Sequence, residues 1–219
     1  MIEAVVFDMD GILFDTERLT LRLWKKICDS EGYPDVTVYS GEFMGMNHAA
    51  HRRYFEKRFG KEFPYDAFMA LGRKAVSEEI AKNGVPVKPG LFELLGYLKE
   101  HRLRIAAATS TQRKTAVGFF ESTKIIGYFD AMICGDMVEK SKPDPDIYLK
   151  AAAALNIKPE HCMALEDSPN GIRSAYNAGM KTVMVPDLVA PSPELDKLLL
   201  ACVPALNEVI PLIETENRQ

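Results

Sequence analysis

The sequence predicts an α/β protein with a doubly wound, parallel, Rossmann-like sheet as its core and an all-helical cap domain inserted into it. Beyond Pro89, short apolar strands alternate with amphipathic helices, which is typical of a parallel sheet covered by helices on both faces. Residues 16–86 show only helical periodicity, and irregular connections rich in glycine or proline bound them. We therefore expect a catalytic core of residues 1–15 and 87–219 and a helical cap of residues 16–86.

Composition is that of an ordinary globular protein. Hydrophobic residues make up 47% of the 219 residues and the net charge is −4, so a nucleic-acid partner gains no support. The N-terminal apolar run is too short for a signal peptide or a membrane span. Four widely spaced cysteines without a Cys-x-x-Cys pair favour buried free thiols over disulfides or a zinc site. A cytoplasmic protein is therefore expected. The four cysteines are Cys28, Cys134, Cys162 and Cys202.

The first predicted strand, residues 5–8, is an apolar run rich in β-branched residues that ends in two carboxylates. Asp8 and Asp10 are two residues apart, so in an extended segment both side chains project to the same side. Two adjacent carboxylates repel each other, and one pKa would rise unless a cation lies between them. Asp15 and Thr16 then offer an N-cap to a helix. Taken alone, this stretch is equally compatible with a solvated acidic turn.

Three helices are predicted in the insertion, at residues 19–31, 47–60 and 68–83. Apolar residues recur at helical spacing in each of them. The third ends at an Asn-Gly pair that suits a left-handed helix stop. The flanking connections, residues 11–16 and 84–90, are interpreted as paired hinges.

The remaining chain predicts four more strands and at least four more helices. Asp144 is the expected cap of one of these helices, with Pro145 in its first turn. The tail, residues 195–213, is expected to form one or two surface helices. The expected strands are 104–109, 131–134, 162–165 and 182–185, and the expected helices are 91–101, 112–123, 145–155 and 169–178.

Polar residues follow each of the first four strands of this sheet. In an open parallel sheet, ligands bind at the carboxyl ends of the strands. Hydroxyls and free N–H groups at a helix start suit an anion, and the proline after a lysine keeps that lysine out of helical geometry. Each strand end therefore supplies a group that phosphoryl chemistry requires. In chain order these residues are Asp8 and Asp10, then Thr109, Ser110 and Thr111, then Asp136 and Lys142, and finally Glu166 and Asp167.

Each of these residues also has a structural interpretation. Thr109 could be a helix N-cap, Lys142 a surface lysine, and Glu166 with Asp167 a capping pair. Asp136 could support the lysine electrostatically or simply end a strand. Singly, the structural interpretations are favoured. Together, in this order along the chain, the residues favour catalysis.

The segments Asp8-Met9-Asp10-Gly11, Thr109, Lys142-Pro143 and Glu166-Asp167 resemble the four motifs of the haloacid dehalogenase superfamily. A helical block between the first motif and the rest resembles the superfamily's β-phosphoglucomutase-like subgroup of sugar-phosphate phosphatases and mutases. The likeness spans nearly the whole chain and implies the α/β core and the inserted cap.

The resemblance implies a role for each motif residue. Asp8 corresponds to the nucleophile and Asp10 to the general acid and base. Thr109, with Ser110, and Lys142 correspond to the groups that hold the phosphoryl group.

The resemblance also implies Mg²⁺ as cofactor. Asp8, Asp167 and the backbone carbonyl of Asp10 correspond to its ligands, with Glu166 acting through water. Carboxylate and carbonyl oxygens are the ligands that this hard cation prefers.

Substrate choice is expected to lie in the insertion. The candidate residues there are Glu17, Gly45, Asn47 and His48. A basic run beginning at His48 could attract a phosphate, although a solvated helix face is the favoured interpretation. It comprises His48, His51, Arg52, Arg53, Lys57 and Arg58.

Two positions depart from the mutases of this subgroup. Thr20 stands where the mutases carry a histidine, and His48 stands where they carry an arginine for a distal phosphate. The segment from Asp15 to Leu19 resembles instead the phosphatase members, the pseudouridine-5′-phosphatases among them. Hydrolysis is therefore favoured over mutase activity.

The expected function is an Mg²⁺-dependent phosphatase for a small phosphomonoester, a sugar phosphate or a nucleotide, acting through an aspartyl-phosphate. The enzymatic alternative is a hexose-phosphate mutase, and the non-enzymatic one is a sensor that binds a phosphorylated ligand without turnover. A pure binder has no need of Asp10, which argues against the sensor. A monomer or weak dimer is expected, with neither a nucleic-acid polymer nor a membrane as partner.

Overall fold

The computed structural model describes residues 1–43 and 48–218, including the side chains of all of them except residues 48 and 49. The chain divides into two compact units. One consists of Met1–Asp15 and Val87–Gln219, and the other of Thr16–Pro86. We call them the core unit and the insertion.

The core unit is built on a six-stranded sheet in the order β3-β2-β1-β4-β5-β6, and every pairing is parallel. This confirms the predicted doubly wound α/β class. The strands are β1 Ala4–Phe7, β2 Arg104–Ala108, β3 Ala131–Ile133, β4 Cys162–Glu166, β5 Lys181–Met184 and β6 Ala201–Cys202.

Ten α-helices and five short 3₁₀ helices make up the other elements of the described residues. The α-helices are α1 Thr16–Glu31, α2 Ser40–Phe43, α3 His48–Phe59, α4 Tyr65–Asn83, α5 Leu91–Glu100, α6 Arg113–Ser122, α7 Asp146–Leu155, α8 Pro169–Asn177, α9 Pro193–Asp196 and α10 Val209–Arg218. The 3₁₀ helices are Val36–Tyr39, Ile126–Tyr128, Gly135–Met137, Pro159–His161 and Leu206–Glu208. None of the described helices is both long and apolar enough to cross a membrane.

Strand β1 lies at the centre of the sheet, and all four of its residues are buried. Its registers place Phe7 beside Ala107 of β2 and beside Leu165 of β4. The residues that follow Phe7 and Leu165 in the chain therefore lie at the same edge of the sheet. A strand covered on both faces has to be apolar throughout, which is why the predicted run is continuous and not alternating.

Small side chains let the helices lie close to one face of the sheet. Ala106 and Ala108 of β2 share a buried cluster with Ala151 and Ala152 of α7. Tyr148, also on α7, is fully buried in the same cluster. This close packing carries the start of α7 towards the carboxyl ends of the strands.

The tail differs from its prediction. A short sixth strand, β6, pairs with β5, and helix α10 buries Val209 and Ile213 instead of lying wholly on the surface. A strand of two residues is too short to show a period of two. Cys202 lies in this edge strand and is exposed, so the prediction of four buried thiols is wrong at that position.

The insertion has an aromatic core of its own. Trp24 of α1 lies at its centre, with ring centroids 5.1 Å from Phe68, 6.0 Å from Phe43 and 6.4 Å from Phe55. Such edge-to-face and tilted pairs contribute about 0.5–1.5 kcal/mol each beyond the area they bury. The insertion is therefore stabilised by its own side chains.

The basic run of α3 is not a uniform solvated face. His51 is buried, stacks on Phe55 at 4.5 Å and lies 2.9 Å from the Tyr65 hydroxyl through its Nδ1. Arg58 lies over the ring of Tyr39 at 3.8 Å. Assigning His51 to a solvated or phosphate-attracting surface is therefore wrong, because its ring is part of the aromatic core.

Gly72 of α4 tests this packing. A Cβ at this position would lie 2.4 Å from Nε1 of Trp24. We expect Gly72→Ala to lower the unfolding free energy by about 1–3 kcal/mol through overpacking, although alanine normally favours a helix. Gly96→Ala in α5 is the matched control, because a Cβ there meets nothing within 4 Å. It should stabilise by about 0.5–1 kcal/mol. If calorimetry showed that both substitutions change the unfolding free energy in the same direction, the close packing of Trp24 against Gly72 would be contradicted.

Candidate active site

Three acidic side chains meet at the carboxyl edge of β1 and β4. Asp8 directly follows β1, and its N–H donates to the Leu165 carbonyl at 3.0 Å. Glu166 ends β4 and Asp167 follows it. All three are buried, and one oxygen of each lies within 4.8 Å of the others. The parallel register of β1 and β4 is what brings together residues so distant in sequence.

Lys142 reaches this acidic group from the loop between β3 and α7. Its Nζ donates to Asp8 Oδ1 and to Glu166 Oε1, at 2.6 Å each, and its side chain is only 8% exposed. The surface-lysine interpretation of Lys142 is therefore wrong. A buried ammonium needs close anionic partners to offset the loss of its hydration, and these two carboxylates supply them.

Glu166 is completely buried and accepts five hydrogen bonds from described residues. Lys142 and the Tyr148 hydroxyl, at 2.8 Å, share Oε1. The N–H of Asp167 and both the N–H and the hydroxyl of Ser168 donate to Oε2, at 3.1–3.2 Å. With both oxygens engaged in this way, the geometry favours Glu166 as the group that orients Lys142.

Helix α8 begins against the Glu166 carboxylate. Its N-cap Ser168 accepts the Gly171 N–H at 3.1 Å. A Cβ on Gly171 would lie 1.7 Å from Glu166 Oε1, so only glycine allows the helix to approach this closely. The first turn of α8 and the end of β4 thus form one compact support for Glu166.

The second strand end contributes hydroxyl groups. Thr109 is buried, and its Oγ1 accepts the Thr111 N–H at 3.0 Å. Thr111 in turn donates its hydroxyl to Asp10 Oδ2 at 2.8 Å. Helix α6 begins only at Arg113, after Gln112, so the interpretation of Thr109 as its N-cap is wrong.

Ser110 and Lys142 line a cavity of about 180 Å³ beside the acidic group. Ser110 itself is exposed. The other lining residues are Gly135, Val138, Glu139, Ser141 and Ile147.

Asp136 has a local structural role. Its Oδ1 accepts the N–H of Arg113, the first residue of α6, at 3.0 Å. It therefore satisfies a donor at the helix start, as helix-capping carboxylates do. Asp144 acts in a similar way, because its Oδ1 accepts the Asp146 N–H at the start of α7, at 3.2 Å.

The charges of the site perturb one another. Burial, helped by the Glu166 and Asp10 carboxylates, raises the pKa of Asp8 to about 8, and Lys142 only partly opposes this. Burial alone would lower the pKa of Lys142, but Asp8 and Glu166 outweigh it and raise that pKa. Burial also raises the pKa of Tyr148 well above its ordinary value, so its hydroxyl stays a donor.

The donor set fits a divalent cation. Asp8, Glu166 and Asp167 offer only carboxylate oxygens, which are the ligands of hard cations such as Mg²⁺. When ionised, Asp8, Glu166 and Asp167 carry three negative charges, and the Lys142 ammonium offsets one of them. A bound dication would correct that imbalance.

The sequence did not single out Tyr148. Its position in an apolar helix is typical only of a core residue, although a buried tyrosine hydroxyl usually finds a hydrogen-bond partner.

A second contact that the sequence did not predict is the ion pair between Lys88 Nζ and Asp187 Oδ1 at 2.9 Å, whose side chains are largely buried. It connects the segment after the insertion to the loop after β5.

Of the substrate residues predicted in the insertion, only the side chain of Glu17 is among the described residues. Glu17 lies in the first turn of α1 and is half-buried. Gly45, Asn47 and the side chain of His48 lie outside the described residues.

Comparison with known families agrees with this geometry. A sequence model described as haloacid dehalogenase-like hydrolase matches residues 5–185. The chain belongs to this family. The predicted identification of the superfamily is therefore confirmed, and so, at the level of the family, is the prediction of a phosphoric monoester hydrolase.

Three curated relatives show the range of named activities. A phosphorylated carbohydrates phosphatase from Thermotoga maritima is 32% identical and covers 83% of each chain. A probable pseudouridine-5′-phosphatase from Drosophila melanogaster is 32% identical over 83% of this chain and 80% of its own. A β-phosphoglucomutase from Bacillus subtilis is 30% identical over 84% and 83%.

Solved structures share the fold. CbbY from Rhodobacter sphaeroides, in complex with phosphate, has a TM-score of 0.76 and 27% identity to this haloacid dehalogenase-like hydrolase. The alignment covers 95% of this chain and 96% of the other.

Cation binding to the acidic group should depend on pH. A cation must displace the proton of Asp8, whose pKa is about 8, so affinity should rise about tenfold per pH unit from pH 6 to 8. In the metal-free protein, the pKa of Asp8 in the folded state is higher than its ordinary value of 3.8. The free energy of unfolding should therefore fall as the pH rises from about 4 to about 8.

Thermal unfolding at pH 6 and pH 8, with and without MgCl₂, measures both effects. We expect Mg²⁺ to raise the Tm more at pH 8 than at pH 6. Asp8→Asn should abolish this pH dependence. An equal shift at both pH values in the unmodified protein would contradict the argument.

Tyr148→Phe removes one donor to Glu166 and keeps the ring. We expect a loss of about 1.5–3 kcal/mol of unfolding free energy in chemical denaturation, the usual range for a hydrogen bond to a charged group. Tyr176→Phe is the control, because Tyr176 is about half exposed on α8. Similar values for the two variants would show that the buried hydroxyl contributes nothing.

Proposed function

We propose that this haloacid dehalogenase-like hydrolase is an Mg²⁺-dependent phosphatase that hydrolyses a small phosphomonoester, a sugar phosphate or a nucleotide, through an aspartyl-phosphate on Asp8. One observation carries the proposal: Lys142 Nζ lies 2.6 Å from Asp8 Oδ1, in a buried site that also holds Asp167. A carboxylate with a lysine and a further acidic group beside it suits attack on an anionic phosphoryl group.

In the first step, a carboxylate oxygen of Asp8 forms a bond to phosphorus as the bond from phosphorus to the alcohol oxygen breaks. Asp10 donates its proton to that departing oxygen and becomes a carboxylate. Lys142 and the Thr109 hydroxyl donate to the phosphoryl oxygens, where negative charge accumulates. The Thr109 oxygen already accepts the Thr111 N–H, which leaves its own hydrogen available to the substrate.

In the second step, Asp10 takes a proton from water while the water oxygen bonds to phosphorus. The bond between phosphorus and Asp8 breaks, so inorganic phosphate leaves and both aspartates return to their starting states. General acid and base assistance of this kind contributes roughly 10²–10⁴-fold.

Asp8, Asp167 and the backbone carbonyl of Asp10 are the residues that would hold Mg²⁺. When bound, the ion supplies positive charge that relieves repulsion between an anionic nucleophile and an anionic substrate. Glu166, engaged by Lys142 and Tyr148, supports this arrangement by fixing the lysine. Its predicted contact with the ion through water stays a prediction.

The two units have different proposed roles. The core unit carries the motif residues, and we assign it the chemistry. The insertion follows the nucleophile strand directly in sequence, which supports a cap that meets the leaving group and excludes water. The predicted contributions of Glu17, Gly45, Asn47 and His48 to substrate binding stay predictions.

Hydrolysis is favoured over mutase activity by Thr20. This residue stands where the mutases of the subgroup carry a histidine, and its hydroxyl donates to the Thr16 carbonyl within α1 at 2.8 Å. A side chain bonded to its own helix is poorly suited to assist proton transfer. The relatives named as phosphatases of phosphorylated carbohydrates and of pseudouridine-5′-phosphate support small phosphomonoesters as substrates.

Free buried thiols at Cys28, Cys134 and Cys162 support a cytoplasmic location. The expected monomer or weak dimer stays a prediction.

A phosphate-release screen over sugar phosphates and nucleoside monophosphates, with and without Mg²⁺, tests the proposal. Asp8→Asn keeps the size of the side chain and removes the anion, so it should lower turnover on the order of 10³-fold or more and leave the fold intact. Asp29→Asn, exposed on α1, should behave like the unmodified enzyme.

Three results would contradict the phosphatase proposal. Undiminished phosphate release by Asp8→Asn would exclude the covalent mechanism. Conversion of a hexose phosphate to its isomer without phosphate release would indicate a mutase. Tight Mg²⁺-dependent binding with no turnover of any substrate would indicate a sensor.

A further inference from the structure

Thr111 contacts two groups that the proposed mechanism uses, the Asp10 carboxyl after β1 and the Thr109 hydroxyl after β2. Its hydroxyl donates to Asp10 Oδ2 at 2.8 Å, and its N–H donates to Thr109 Oγ1 at 3.0 Å. Asp10 and Thr111 are 101 positions apart in sequence, so this contact exists only because β1 and β2 are neighbours in the sheet.

The backbone of Thr111 is itself held in place. Its carbonyl accepts the Gly135 N–H at 3.0 Å, from the loop that follows β3. The Thr109 N–H donates to the Ile133 carbonyl, also at 3.0 Å. Two bonds to the neighbouring strand end therefore fix the segment that presents the Thr111 hydroxyl.

The chain around Asp10 is anchored from its other side. The Gly11 N–H donates to the Phe14 carbonyl at 2.9 Å, and the N–H groups of Leu13 and Phe14 donate to the Met9 carbonyl at 2.8 and 3.1 Å. This tight turn fixes the backbone of Asp10. The turn leaves rotation about the side-chain bonds of Asp10, which the Thr111 hydroxyl restrains.

We propose that Thr111 is a positioning residue, which orients the Asp10 carboxyl for proton transfer to the leaving group and touches no reacting atom itself. The inference rests on the proposed phosphatase function. It adds to that function a residue that is neither the nucleophile, nor a ligand of the phosphoryl group, nor a ligand of the cation. Proton transfer depends steeply on distance and direction, so a carboxyl that lacks the Thr111 hydrogen bond would protonate the leaving oxygen less often.

Leaving-group dependence separates this role from a general loss of structure. A p-nitrophenolate departs without protonation, whereas the alkoxide of benzyl phosphate needs a proton as the bond breaks. The two substrates are similar in size. The ratio kcat/KM includes no step later than departure of the leaving group, so it reports the step in which Asp10 acts as an acid.

Thr111→Val replaces the hydroxyl with a methyl group of similar size. We expect kcat/KM for benzyl phosphate to fall on the order of 10-fold and that for p-nitrophenyl phosphate to fall much less. Thr111→Ser keeps the donor and should restore most of the benzyl phosphate activity. Thr115→Val, exposed on α6, is the matched control and should change neither substrate.

Each outcome decides the matter. Equal losses on the two substrates, no loss on benzyl phosphate, or no recovery with Thr111→Ser would overturn the positioning role while the phosphatase function stands. If the unmodified enzyme releases phosphate from neither these two compounds nor the sugar phosphate and nucleotide panel, the proposed function fails, and the role of Thr111 fails with it.

Discussion

The site depends on one balance of charge at the centre of the sheet. Lys142 is held between Asp8 and Glu166 at 2.6 Å from each, where little water can screen any of the three groups. Two carboxylates this close would repel each other without the ammonium, and the ammonium would not be buried without them. The strands, the loop that carries Lys142 and the start of α8 all serve to keep this arrangement together.

The fold achieves that balance through layers of support behind each functional group. Tyr148 and Ser168 donate hydrogen bonds to Glu166, and the glycine at position 171 leaves room for its carboxylate. Glu166 then holds Lys142, which faces Asp8. Glu166 and Tyr148 are fully buried, and Glu166 and Lys142 each make more than one hydrogen bond, so their positions are tightly fixed. Preorganisation of this kind is what electrostatic catalysis requires.

Much of the core and of the site could be predicted from the sequence. Strand β1 was predictable because a continuous apolar run must be buried on both faces, and the acidic and basic residues after each strand identified the edge that carries them. Tyr148 could not be found, because its hydroxyl meets Glu166 at the end of β4 only once α7 packs against the sheet. His51 carried a misleading signal, since its neighbours Arg52 and Arg53 are basic while its own ring enters the aromatic core. Two-residue β6 exists only through pairing with β5.

The chain has a single tryptophan, and it lies in the middle of the aromatic core of the insertion. Ultraviolet emission excited at the red edge of protein absorption therefore comes from the helical unit alone, with no contribution from the sheet. The molecule thus carries an intrinsic optical label on one of its two parts. Comparing that emission with circular dichroism, to which both units contribute, would show whether they melt together or one after the other.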